Sequence, residues 1–131
     1  MTETNRIGPG TPFLIVSDVS RSVKHYTEAL GFECRFSAPD TDPIFAIVGR
    51  DAVQIMLKFV GDEVPPSPNN QQHEWARWDV FVHVPDPDVL AGEFERRRVP
   101  FHQVLGDTED QLRGFEIADP DGYVCFFGRP L

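Results

Sequence analysis

An internal repeat is the feature that most constrains the fold of this chain. An apolar run at residues 12–16 predicts a strand, and the segment after it predicts an amphipathic helix. The helix is indicated by apolar side chains spaced three or four residues apart, namely Val19, Val23, Tyr26 and Leu30. Further strands are predicted over residues 32–36, 44–48 and 52–59. The first half of the chain therefore has the order β-α-β-β-β.

The second half of the chain has the same order. A helix follows its first predicted strand, and its strands cover residues 78–84, 101–105, 111–118 and 123–128. The two halves share a register, because Asp18 follows Thr11 by seven residues and Asp86 follows Asp79 by seven. The polar, proline-rich segment 61–72 between them is typical of a linker. We predict one α+β domain over residues 1–131, with module one at about 11–60, a linker at about 61–76 and module two at about 77–129.

The charge and composition of the chain exclude several kinds of partner. The 131 residues carry a formal net charge of −9 at pH 7, whereas nucleic-acid binding needs a basic face. No apolar run approaches the roughly 20 residues that cross a bilayer. The first residues also lack the basic and apolar segments of a signal peptide. We therefore predict a cytoplasmic protein that binds neither nucleic acid nor a membrane.

Two parts of the sequence are similar to one known superfamily. The opening strand and helix of a vicinal-oxygen-chelate domain resemble residues 14–19, 22–26 and 30–32. Its closing strand pair resembles residues 115–123, with the sequence FEIADPDGY. The superfamily contains glyoxalase I, the bleomycin-resistance proteins and the extradiol dioxygenases. The chain looks most like the bleomycin-resistance proteins, which also keep tryptophan near the linker, as Trp75 and Trp78 do here.

The resemblance implies a fold in which two βαβββ modules form a curved mixed sheet around a cleft, with the helices on the convex side. In metal-dependent members of the superfamily, four cleft positions carry His or Glu ligands. The matching positions in this chain are Thr11, Met56, Asp79 and Phe126. Only Asp79 among them is a competent ligand for Zn, Mn or Fe(II). The resemblance therefore implies that the chain has no metal ion and no cofactor.

Other catalytic signatures are missing from the sequence, which has no GxSxG, HExxH, phosphate-binding or dinucleotide-binding glycine motif. Three roles stay open for Asp79, as a general base, as a partner for a ligand's amine, or as an acceptor for backbone N–H groups. His83 lies roughly 13 Å from Asp79 along the predicted strand, which is too far for both to bind one ion. We expect His102 to lie on a strand without a partner. We also expect Glu116 in the cleft as a second negative side chain, with its side of the strand less firmly fixed than that of Asp79.

Alternation along the strands predicts which side chains face the cleft. The predicted ligand-binding residues are Thr11, Phe13, Met56, Trp78, Asp79, Phe81, His83 and Phe126. This mixture of aromatic and polar side chains favours a flat, largely apolar ligand, with cationic compounds included.

We interpret the chain as a metal-free binding protein that resembles the bleomycin-resistance proteins and sequesters a small molecule, as in antibiotic resistance. The sequence favours this function over an enzyme. The alternative is a metal-dependent lyase, isomerase or dioxygenase of the glyoxalase family, and a third hypothesis is an interaction or sensory domain that has lost the chemistry. The resemblance also implies a twofold homodimer in which modules of two chains complete each cleft.

Overall fold

Two mixed sheets of four strands form the architecture of the protein. In the computed structural model, which describes residues 4–131, the first sheet contains β1 (Phe13–Ile15), β2 (Glu33–Ala38), β3 (Phe45–Arg50) and β4 (Val53–Lys58). The second sheet contains β5 (Val80–His83), β6 (Gln103–Asp107), β7 (Leu112–Ala118) and β8 (Val124–Pro130). The strand orders are β1-β4-β3-β2 and β5-β8-β7-β6, and in each sheet the first pair is parallel and the others are antiparallel. The predicted α+β fold with two βαβββ modules is thereby confirmed.

Both modules carry a helix after their first strand, and an aspartate caps each one. The helices are α1 (Val19–Lys24), which continues as a π-helical turn over His25–Ala29, α2 (Asn69–Gln72) and α3 (Pro87–Arg96). The side chain of Asp18 accepts a hydrogen bond from the third residue of α1, and that of Asp86 does the same in α3. The helix α2 lies inside the predicted linker, which is therefore partly helical. None of the helices in residues 4–131 is both long enough and apolar enough to cross a membrane.

One apolar core lies against the same side of both sheets. The first module contributes the buried residues Leu14, Val16, Ala46, Val48, Ile55 and Leu57, all in strands except Val16, which directly follows β1. The second module contributes Val80, Phe94, Phe115, Ile117, Cys125 and Phe127. Since side chains alternate along a strand, the residues between these ones lie on the other side of each sheet. That second side is the one on which the sequence predicts the cleft.

Hydrogen bonds join the two modules near the free edge of β1. The hydroxyl of Tyr123 donates to the carbonyl of Ile15 at 2.6 Å. The hydroxyl of Tyr26, in the π-helical turn, donates to the carboxylate of Asp119 at 3.0 Å. Burial of this carboxylate raises the pKa of Asp119 to about 6. The two modules are therefore held together by polar contacts as well as by the core that they share.

The strand β6 begins two residues later than the sequence predicts. Val99 packs in the core directly after α3, and the ring of Phe101 lies 5.2 Å from that of Phe115. Pro100, between Val99 and Phe101, has no backbone N–H to donate to a neighbouring strand. Residues 99–101 therefore pack against the core, and β6 begins only at Gln103.

Candidate ligand-binding site

Three side chains form a row across the second sheet, on the side away from the core. Phe81 on β5 is paired in register with Phe126 on β8, and Phe126 is paired with Glu116 on β7. Residues paired in this way lie on the same side of a sheet. The row therefore places Glu116 next to two of the predicted ligand-binding residues, Phe81 and Phe126.

Aromatic rings stack on this side of the second sheet. The ring of Trp78 lies on that of Phe126, with centroids 4.8 Å apart and planes 29° apart. Phe81 lies 5.4 Å from Trp78 and 5.2 Å from Phe126, and His83 lies 4.8 Å from Phe81. We call these four residues, Trp78, Phe81, His83 and Phe126, the aromatic face. Phe126 is only 1% exposed, so the surface open to a ligand is formed by the other three rings.

Two glycines make room for the ring of Phe126. Gly114 and Gly128 are paired in register on β7 and β8. A Cβ atom added at Gly128 would lie 2.5 Å from Cε2 of Phe126, and one added at Gly114 would lie 2.6 Å from its Cζ. Such distances are too short for carbon atoms in contact. The added atom would lie even closer to the carbonyl oxygen of Phe127 at Gly114 and to that of Arg113 at Gly128, so a larger residue would displace both the strand backbone and the Phe126 ring.

A buried carboxylate borders the aromatic face. Glu116 is 4% exposed, and its Oε2 accepts a hydrogen bond from the indole N–H of Trp78 at 3.0 Å. Its Oε1 lies 2.9 Å from Nδ1 of His102. The expectation that His102 has no partner is therefore wrong. His102 precedes β6, so strand alternation does not fix the direction of its side chain, and only the pairing of β6 with β7 brings it to Glu116.

The two tryptophans of the chain have different surroundings. The guanidinium of Arg77 lies 5.0 Å from the ring centroid of Trp78 and forms an ion pair with Asp110 at 2.8 Å. This cation covers part of the Trp78 ring. Trp75 is 84% exposed and contacts the ring of His73 at 5.3 Å. Of the two residues, only Trp78 belongs to the aromatic face.

The sequence of the chain matches one protein superfamily. A profile of the Glyoxalase/Bleomycin resistance protein/Dioxygenase superfamily matches residues 6–126. The chain belongs to this superfamily. A comparison with curated proteins gave no significant match.

Several solved structures are similar to the chain over nearly its whole length. TnmS3, an antibiotic binding protein from Streptomyces sp. CB03234, is 20% identical, with a TM-score of 0.70 and coverage of 95% of this chain and 98% of that chain. The bleomycin-binding protein from Streptomyces verticillus, complexed with copper(II)-bleomycin, is 24% identical, with a TM-score of 0.65 and coverage of 97% of each chain. A glyoxalase-related enzyme from Clostridium phytofermentans is 16% identical, with a TM-score of 0.73 and coverage of 99% and 100%. At these identities the similarity establishes the fold alone.

The four positions that the resemblance implies for metal ligands carry side chains that do not suit a metal ion. They are occupied by Thr11, Met56, Asp79 and Phe126. A hydroxyl and a thioether are poor ligands for Zn, Mn or Fe(II), and a phenyl ring is no ligand. Within residues 4–131, no group of three or more His, Cys, Asp and Glu side chains is arranged to hold an ion.

Backbone amides occupy both oxygens of Asp79. Its Oδ1 accepts a hydrogen bond from the N–H of Asn69, and its Oδ2 accepts one from the N–H of Val124, both at 2.8 Å. The carboxylate thereby links the start of α2 to the start of β8. Of the three roles that the sequence leaves open for Asp79, this geometry corresponds to the acceptor of backbone N–H groups.

A second aromatic surface lies on the first sheet, away from the core. Phe13 is 56% exposed and Phe36 is 52% exposed, and the ring of Phe45 lies 6.4 Å and 6.1 Å from theirs, respectively. Met56 is paired in register with Phe13. We call these four residues, Phe13, Phe36, Phe45 and Met56, the first-sheet patch. Exposed apolar patches on folded proteins commonly mark ligand or partner sites.

Two pockets open where the modules meet. A pocket of about 320 Å³ is lined by both modules, including Phe13, Ile15, Asp79 and Tyr123. Another, of about 340 Å³, is lined mainly by side chains that face the core, including Phe32, Val84, Leu90 and Phe94. The structure therefore brings Phe13 and Asp79, both predicted to bind the ligand, to one pocket, whereas Trp78, Phe81 and Phe126 form the separate stack.

Proposed function

We propose that the protein binds a flat aromatic compound at the aromatic face and releases it unchanged, which sequesters the compound. The observation that carries this proposal is the stack of Trp78, Phe81, His83 and Phe126 on the side of the second sheet away from the core. Burial of aromatic surface against a planar ligand contributes on the order of 25 cal/mol per Å² before the costs of association.

Two proteins of similar fold support binding as the function. TnmS3 is described as an antibiotic binding protein, and the bleomycin-binding protein was solved with copper(II)-bleomycin. A glyoxalase-related enzyme has the same fold, so the fold by itself does not choose between binding and catalysis. The side chains of Thr11, Met56 and Phe126 are not suitable metal ligands, which favours a binding protein over a metal-dependent lyase, isomerase or dioxygenase.

The charge of the protein favours cationic aromatic ligands. Its formal net charge is −9, and a field of this sign raises the local concentration of cations. The buried carboxylate of Glu116 lies beside the stacked rings. We therefore include a positive charge or hydrogen-bond donors in the proposed ligand class.

Calorimetric titration with acridine orange, a flat tricyclic cation, tests the proposed function. We expect saturable binding that a metal chelator does not change, with the dye recovered intact by mass spectrometry. Conversion of the dye, or binding that needs an added divalent ion, would instead support the enzyme alternative. If acridine orange shows no saturable binding at millimolar concentration, the proposal is wrong for this ligand class.

We also propose that two chains form a twofold homodimer through the first-sheet patch. Phe13 and Phe36 are large apolar side chains that one chain leaves more than half exposed, and a twofold axis would bury both copies of the same patch. Sedimentation equilibrium at micromolar concentration is expected to give twice the chain mass of 14.8 kDa. Phe36→Glu should shift the protein to the monomer mass. A wild-type mass of one chain would contradict the dimer.

A further inference from the structure

The carboxylate of Glu116 lies between two ring nitrogens on the side of the second sheet that carries the aromatic face. Its Oε2 accepts from the indole of Trp78 at 3.0 Å, and its Oε1 lies 2.9 Å from Nδ1 of His102. A buried carboxylate is costly unless such partners satisfy it. The two hydrogen bonds therefore offset the cost of burying the Glu116 carboxylate. They also fix the orientation of the Trp78 and His102 rings.

The pairing determines what His102 offers to a ligand. An ionised carboxylate only accepts hydrogen bonds, so the bonded Nδ1 of His102 carries the hydrogen. In the neutral imidazole, the other nitrogen, Nε2, is then left as an acceptor. The His102 side chain is 45% exposed, whereas that of Glu116 is 5% exposed. The exposed member of the pair is thus the one that a ligand meets.

His102 is also close to the stacked rings. Its Nδ1 and the indole nitrogen of Trp78 contact the two oxygens of one carboxylate, so the Glu116 side chain links the imidazole to the edge of the Trp78 ring. A flat ligand on the aromatic face would bring its substituents, rather than its ring faces, to this position.

We propose that His102, oriented by Glu116, accepts a hydrogen bond from an amino or hydroxyl group on the aromatic ligand. This inference rests on the proposed function, and it narrows the ligand class to flat aromatic compounds with such donors at their edge. His102 is the residue that contacts the ligand, and Glu116 is a positioning residue. A site built to accept a hydrogen bond discriminates against an analogue that lacks the donor.

Proflavine and acridine orange are a matched pair of probes for this inference. Both are flat tricyclic cations, but proflavine has amino N–H groups at its edge and acridine orange has dimethylamino groups without them. Both titrations are made at about pH 8.5, which lies above the ordinary range of imidazole pKa values. We expect His102→Phe to weaken proflavine about tenfold, the effect of one hydrogen bond, and to change acridine orange by less than about twofold. His73→Phe, at an exposed linker histidine, is the control and should change neither.

Glu116→Gln tests the positioning role. The indole N–H of Trp78 only donates, so the amide oxygen of the new side chain must face it, and the amide NH₂ then faces Nδ1 of His102. The imidazole hydrogen then moves from Nδ1 to Nε2. The Nε2 atom of His102 thereby changes from a hydrogen-bond acceptor to a donor. We expect the nitrogen chemical shifts of His102 to report the changed tautomer. Proflavine should then bind about as weakly as it does to His102→Phe, by loss of one hydrogen bond.

The outcomes separate this inference from the proposed function. If His102→Phe weakens both probes equally or neither, while both still bind the wild-type protein, this inference is wrong and the proposed function stands. An unchanged His102 tautomer in Glu116→Gln would also overturn the inference. If neither probe binds the wild-type protein, both the inference and the proposed function fail. Thermal unfolding of each variant shows whether a loss of affinity comes from a loss of folded protein.

Discussion

Trp78→Ala is expected to weaken the binding of acridine orange roughly 70-fold, which corresponds to about 2.5 kcal/mol. The physical reason is lost contact, because roughly 100 Å² of the Trp78 surface would no longer be buried against the ligand. The substitution also uncovers Phe126 and leaves Oε2 of Glu116 without its donor. Calorimetric titration gives the change in affinity, and thermal unfolding gives the accompanying change in stability.

Two further variants make this result specific to the aromatic face. Trp75→Ala removes a tryptophan that is 84% exposed and lies outside the stack, and it should leave the affinity unchanged. Trp78→Phe keeps an aromatic ring but removes the indole N–H, so it should weaken binding less than the alanine substitution. Equal effects of Trp75→Ala and Trp78→Ala would place the ligand elsewhere.

Asp79→Asn is expected to lower the free energy of unfolding by about 1 kcal/mol, the contribution of one hydrogen bond. The two oxygens of Asp79 accept from the N–H groups of Asn69 and Val124. An asparagine has only one oxygen, so its NH₂ group would face one of these donors. Val124 is fully buried, so the amide oxygen keeps that bond, and the NH₂ group faces the N–H of Asn69 at the exposed end of the pair. Urea denaturation measures the change.

The matched control for Asp79→Asn is Asp86→Asn. Asp86 caps α3 through the N–H of Val89, and asparagine caps a helix about as well as aspartate. We therefore expect little change in the stability of the control. The affinity of folded Asp79→Asn for acridine orange should equal that of the wild type. A loss of affinity with unchanged stability would show instead that Asp79 binds the ligand's cationic group.

Local patterns in the sequence predict the fold of this chain well. Asp18 and Asp86 hold the same place in the register of the two predicted modules, and each caps the helix of its module, α1 or α3, in the structure. The alternation of Val80 with Phe81 correctly separates the core side of β5 from the other side. Such features depend on residues that are close in the sequence, and the periods of helix and strand determine their geometry.

The contacts that build the candidate site join residues that are far apart in the sequence. Trp78 and Glu116 are separated by 38 residues, and Asp79 and Val124 by 45. The surroundings of Asp79 depend on how the linker folds back through α2, and the partner of His102 depends on the register between β6 and β7. No periodic pattern encodes either arrangement. The sequence therefore leaves the role of Asp79 open and gives a wrong expectation for His102. Both depend on which strands are neighbours in the fold.

The central claim is that the aromatic face is the place where a flat aromatic compound binds, and NMR titration with acridine orange tests it most directly. The two tryptophan indole N–H groups give separate signals, of which one belongs to the stack and the other to the exposed Trp75. We expect the Trp78 indole signal and the Phe81 amide signal to shift saturably, while the Trp75 indole signal stays in place. Saturable shifts confined to residues outside the aromatic face, or no shift of Trp78 at ligand saturation, would contradict the claim.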